Sequence, residues 1–150
     1  MVRIVEMRPV LGVTVKLWIA ALAASALVGC SSSPAELEAS TAPTVKTYAE
    51  NYQEIYRRVS STAKRCFAGN MGAYASMAVD SELYPDLGYG DTTLSLINMG
   101  TRNYYISVKV EKQVPSGARL TVRTGNTLAA ERYRTYVLAW ADGDQSCPAF

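Results

Sequence analysis

The stretch YYISVKVEKQVPSGARLTVRT, residues 104–124, decides the fold. In its first half Tyr104, Ile106, Val108 and Val110 fall on one face of an extended chain, and Tyr105, Ser107, Lys109 and Glu111 fall on the other. Pro115, Ser116 and Gly117 interrupt the run with turn chemistry. The alternation then resumes, with Ala118, Leu120 and Val122 against Arg119, Thr121 and Arg123. Two strands joined by a tight turn, each with one dry and one wet face, predict an antiparallel sheet covered on a single side.

Working outward, TTLSLIN (residues 92–98) alternates well and AYASMAVD (residues 73–80) weakly, which gives the sheet two further strands. The cover comes from two helical patterns. In TYAENYQEIYRRVSSTAKRCFAGN, residues 47–70, Tyr48, Tyr52, Ile55, Tyr56, Val59, Ala63, Cys66 and Phe67 recur at spacings of three and four. Thr47 with Glu50 reads as a capping box, and Gly69 as a stop. Arg57, Arg58, Lys64 and Arg65 lie toward the C-terminal half of that helix, where positive charge meets the negative end of the dipole. In NTLAAERYRTYVLAWADG, residues 126–143, Leu128, Ala129, Tyr133, Tyr136, Val137 and Trp140 form a second stripe, with Asn126 or Thr127 as cap. The predicted fold class is therefore α+β: an antiparallel sheet of three to five strands with an N-terminal and a C-terminal helix packed on one face. Helix-grip and TBP-like folds both share that outline.

The first 29 residues have another character. Arg3, Arg8 and Lys16 precede LWIAALAASALVG, an apolar run of 13 residues from position 17 to 29. That is short of the roughly 20 residues needed to cross a bilayer, and it fits the apolar region of an export signal. Met7 offers a second start that would shorten the basic section. At the boundary Leu27, Val28, Gly29 and Cys30 resemble the processing site of bacterial lipoproteins. The resemblance covers residues 1–31. It implies that the Cys30 thiol receives a diacylglycerol and that the bond before it is cut, leaving a protein held to the lipid bilayer by its acyl chains. Ser31, rather than aspartate, follows Cys30 and implies the outer membrane, with the domain facing the periplasm.

Three segments follow from that resemblance: a signal peptide over 1–29, a lipidated flexible tether over 30–46, and a single α+β domain over 47–150. The tether is expected because SSSPAELEASTAPTVK is small, polar and proline-bearing, without a repeating apolar face. Processing also removes the apparent basic character. The whole chain has 15 basic and 13 acidic side chains; without Arg3, Arg8, Lys16 and Glu6 the two kinds balance at 12 each, which leaves nucleic acid without an electrostatic warrant as partner. With Cys30 given to lipid, Cys66 and Cys147 remain as a pair in an oxidising compartment and are expected to form a disulfide. Free thiols or a redox couple are the alternatives.

Candidates for chemistry are few. There is no histidine, which removes the commonest general base and metal ligand. Asp86 and Asp91 flank LGYG, and Asp142 and Asp144 enclose Gly143, but both groups sit in turn-like surroundings where a solvated carboxylate is the ordinary state. No catalytic residue, cofactor or metal ligand is assigned, and the expectation is a protein that is not an enzyme. The stretch SELYPDLGYGD, residues 81–91, reads as a loop offering Tyr84, Leu87 and Tyr89 as binding residues, with Tyr84 turned inward and Tyr89 outward. Two functions are expected from this: an envelope-assembly accessory that binds another envelope protein, or a binder of a small or hydrophobic ligand in a groove between sheet and helices, near Tyr74, Tyr104 and Tyr105. A cavity of several hundred Å³ would favour the second.

Overall fold

A computed structural model describes residues 32–125 and 127–148. The expected signal peptide and Cys30 lie outside the described residues. The chain runs α1 (Pro34–Ser40), β1 (Thr44–Tyr48), α2 (Tyr52–Phe67), β2 (Gly69–Asn70), β3 (Ala75–Tyr84), a single 3₁₀ turn (Pro85–Leu87), β4 (Tyr89–Asn98), β5 (Thr101–Lys112), β6 (Ala118–Thr124) and α3 (Ala130–Ala141). The strands form one sheet in the order β1-β6-β5-β4-β3-β2, with every neighbouring pair antiparallel. The architecture is α+β as the sequence implies, with six strands instead of three to five.

Strands β5 and β6 form as the alternation requires. Val108, Val110, Leu120 and Val122 pair across the two strands and are buried against the helices, with Trp140 and Val137 of α3 and Ile55 and Val59 of α2 completing the core. Helix α2 starts at Asn51, whose side chain accepts from the Gln53 N–H at 2.8 Å. The Thr47–Glu50 capping box does not form, because Thr47 and Tyr48 pair with Arg119 and Ala118 as the end of β1. An open edge on β6 offers those residues a ladder of backbone hydrogen bonds, and the ladder outweighs one more helical turn. Along α2, Tyr52, Ile55, Val59, Ala63 and Phe67 are buried and Tyr56 and Cys66 partly so, whereas Tyr48, read as the start of the same stripe, belongs to β1.

Regular alternation fails at one point in β5. Leu94 pairs with Ile106 and Ser95 with Tyr104, so Tyr105 is an extra residue in a β-bulge. The bulge carries Tyr105 to the helix side, packed against the core, and leaves Tyr104 on the opposite face beside Arg102. That reverses the expected facing of the two tyrosines.

The polar segment expected as a tether is also structured from Ser32 onward. Ser33 caps α1 by accepting from the Glu36 N–H at 3.1 Å, Pro34 occupies the first turn, and Glu36 in return accepts from the backbone and hydroxyl of Ser32 at 2.7 and 2.8 Å. Those two hydrogen bonds hold the Glu36 carboxyl below its ordinary pKa. Leu37, the one large apolar side chain of this helix, is 0% exposed. Complete burial of a leucine is worth about 1.5–3 kcal/mol. Arg123 of β6 fastens the far end of α1 by donating to the carbonyls of Glu38, at 2.8 Å, and Thr41. Helix α1 thus covers part of the sheet face that alternation marked as wet, while α2 and α3 share the other.

Candidate functional site

The two helices do not cover their face evenly. Near the start of α2 the gap is closed by the Tyr56 ring, which lies on the backbone of β4 at Gly90; a Cβ on Gly90 would come within 2.5 Å of Tyr56 Cδ2. Near the end of α2 the gap stays open as an apolar cavity of about 560 Å³. Its walls come from six places in the chain. Cys66 and Phe67 close the last turn of α2, Met71 lies in the β2–β3 connection, and Met77 of β3, Leu96 of β4 and Tyr105 of β5 form the floor. Thr127, Leu128, Ala129 and Tyr133 form the lip and first turn of α3.

The rings are interlocked at the back of the cavity. Phe67 meets Tyr133 edge-on at 5.7 Å between centroids and Trp140 at 5.6 Å, and Tyr105 stacks along Tyr133 at 6.5 Å. Such pairs prefer these separations, so the back wall is fixed by packing. A disulfide between Cys66 and Cys147, with Cα atoms 5.2 Å apart, ties the C-terminal tail to the last turn of α2, as the sequence implies. The tail is held again by Trp140 Nε1, which donates to the Ser146 carbonyl at 2.9 Å, and by the Asp144 carboxylate, which accepts from the Ser146 N–H at 2.8 Å. Accepting that bond holds the Asp144 carboxyl below its ordinary pKa.

Among the described residues the cavity wall carries no carboxylate, lysine or arginine. The part of a ligand it suits is therefore uncharged, since an unpaired ion in such surroundings costs several kcal/mol. Thr127 Oγ1 is buried out of reach of that space and has no hydrogen-bond partner among the described residues.

Of the tyrosines expected at a groove, Tyr105 lines it, Tyr104 lies on the other sheet face, and Tyr74 is exposed beyond the cavity wall. Tyr133 lines it too, although its helical spacing marked it only as core.

The 81–91 stretch is a β-hairpin and not a loop. Ser81 to Tyr84 pair with Thr92 to Tyr89, the 3₁₀ turn Pro85–Leu87 joins them, and Gly88 takes the left-handed φ of 73° that closes the turn. Because Leu83 packs inward, Tyr84 and Tyr89 share the face away from α2 and α3. Tyr89 is outward as expected. Tyr84 is not inward: pairing with Tyr89, 4.9 Å away between rings, sets its side. The Tyr84 hydroxyl donates to Glu82, which raises its pKa to about 12. Lys109 Nζ lies 4.6 Å from the centre of the Tyr89 ring. Two of the three proposed contact residues are thus engaged within the sheet, and Leu87 alone stands free at the turn, 68% exposed.

Most of the basic residues on α2 are similarly engaged. Arg57 and Arg58 both bind Glu54, at 2.7 and 3.0 Å, which keeps that carboxyl below its ordinary pKa, and Arg65 donates to the Gln145 carbonyl. Asp142 is paired with Lys46 at 2.6 Å. Among the described residues no cluster of histidine, cysteine and carboxylate side chains could hold a metal ion, and no helix is long and apolar enough to cross a membrane.

No family model matches the chain, and no curated protein does. A solved structure similar to it is DynU16, a protein of the dynemicin biosynthetic locus, at 13% identity and a TM-score of 0.33. The match covers 68% of this chain and 43% of that one.

Proposed function

We propose that this chain is a lipid-anchored envelope protein whose domain binds a small hydrophobic ligand, without catalysis, in the groove between the sheet and the ends of α2 and α3. The cavity of about 560 Å³ carries this reading. Its size falls within the roughly 300–1,000 Å³ of small-molecule pockets, and its lining is predominantly apolar, as in such pockets. An uncharged body such as an acyl chain is the class it suits. The anchor at Cys30 belongs to the same proposal and rests on the LVGC match, and the periplasmic face of the outer membrane rests on Ser31 after it. Binding of another envelope protein at residues 81–91 is the weaker reading, because Tyr84 and Tyr89 contact each other.

Mass spectrometry of an organic extract of the protein purified from membranes tests the binding. An apolar molecule should be recovered in near-stoichiometric amount from the wild type and be depleted from Ala129→Trp, in which an indole occupies the groove. Equal recovery from both, or only detergent from both, would count against a ligand site.

A further inference from the structure

The groove opens at the end of the sheet where α2 stops, and exposed apolar side chains collect at that same end. Met71 is 66% exposed, Tyr74 77% and Met99 83%, and Leu128 stands fully clear of the surface. They are neighbours: Met71 and Leu128 line the cavity mouth, the Met71 N–H donates to Ala75, and the Met99 N–H donates to the Tyr74 carbonyl at 3.0 Å. Four large apolar residues around one apolar opening amount to a patch that water disfavours. Around it stand Lys64 and Arg65 in the last turn of α2 and Arg132 in the first turn of α3, all exposed. The carboxylate at these helix ends, Glu131, is held by Arg134 at 2.7 Å.

The first described residues of the chain lie toward this end as well. Leu37 of α1 packs toward Gly125, which follows the last residue of β6 at the groove end; a Cβ on Gly125 would sit 3.4 Å from Leu37 Cδ1. From Leu37 the chain is structured back to Ser32. Cys30 is two residues farther, a span of at most about 7 Å. An acylated Cys30 would therefore hold the domain close against the headgroups with little slack.

We infer that the groove end, through Met71, Tyr74, Met99 and Leu128, docks into the surface of the bilayer to which Cys30 is anchored, so that the groove opens onto lipid and takes its ligand from there. Methionine and leucine side chains enter the acyl boundary, tyrosine sits at headgroup level, and Lys64 and Arg132 face anionic headgroups. Docking presupposes the ligand-binding reading for its purpose, but it is measured without any ligand.

The full chain, purified from membranes and reconstituted into phosphatidylglycerol vesicles containing brominated phosphatidylcholine, provides the test. Single Met99→Trp and Leu128→Trp variants report depth at the groove end, and Leu87→Trp reports the opposite end, with wild type supplying the background of buried Trp140. Bromolipid should quench the indole at 99 and 128 about twofold or more beyond that at 87. Equal quenching at all three positions, no quenching because the protein does not associate, or a blue shift without quenching from burial against a second protein copy would each overturn docking. Groove binding measured in detergent solution could stand in any of those cases, so the two failures remain distinct.

Discussion

The two ends of the helix-covered face differ in how the space between helix and sheet is used. At the start of α2, Tyr52, Ile55 and Tyr56 press onto the sheet, and Gly90 makes room for the Tyr56 ring by having no side chain. At the end of α2, Met77, Leu96, Tyr105 and Tyr133 line a space that none of them fills. Apolar lining is common to both ends, so composition does not make the groove. The difference is one of spacing: a glycine under a ring closes one end, while at the other the disulfide and the Phe67–Tyr133–Trp140 cluster hold α2, α3 and the tail together over a space that the sheet side chains leave open.

The bracing should show the largest effect. Replacing both Cys66 and Cys147 with alanine is expected to cost about 2–5 kcal/mol in urea unfolding, with hydrogen exchange rising first in the last turn of α2 and the tail. A loss below about 1 kcal/mol would mean that the open end stands without its brace. Leu37→Ala removes the brace on the opposite sheet face and should cost about 2 kcal/mol, at the low end for buried leucine because a short helix can lift away. Unchanged stability would return residues 34–40 to the status of a tether.

The closed end answers to Gly90→Ala, which should destabilise by about 1–3 kcal/mol as Tyr56 is pushed off its seat. Relief of that cost in a Gly90→Ala, Tyr56→Leu double variant would assign it to the ring. Tyr84→Ala lies outside both ends and should cost only about 0.5–1.5 kcal/mol, the worth of one aromatic pair. The smallest expected effect belongs to Asp91, whose pKa is raised chiefly by burial despite nearby Lys109. A carboxyl with a raised folded pKa holds its proton better in the folded state, so stability falls as pH rises from the ordinary aspartate value through the folded one. Asp91→Asn should therefore give a small gain at pH 7 that disappears below about pH 4, and a loss at pH 7 would show that its attraction to Lys109 dominates.

The sequence discloses the parts of the fold that depend on periodicity. Strands β5 and β6, most of the stripe on α2 and the packing of α2 and α3 on one sheet face follow from alternation or helical spacing. Features set by one residue or one empty space do not. Two adjacent tyrosines conceal the bulge at Tyr105, because either could occupy the inward position until Leu94 and Ser95 fix the register. Helix α1 depends on a single leucine in a polar segment and on Arg123 reaching two backbone carbonyls, neither of which has a period. The hairpin at 81–91 resembled a loop because its glycines suggest turns, yet Gly90 sits within β4 to admit Tyr56. Of the candidate site, the cysteine pair is legible, and so is a groove between sheet and helices as one of two readings, but with Tyr105 on the wrong face of its strand. The size and position of the groove are not, since a void is a property of distances between elements.

Titration with cis-parinaric acid, whose fluorescence rises on entering an apolar site, examines the groove most directly. Wild type should saturate at one probe per chain, Ala129→Trp should bind about tenfold or more weakly, equivalent to about 1.4 kcal/mol, and Tyr84→Ala should match wild type. Failure of the wild type to saturate, or equal affinity in Ala129→Trp, would contradict a ligand site between the sheet and the ends of α2 and α3.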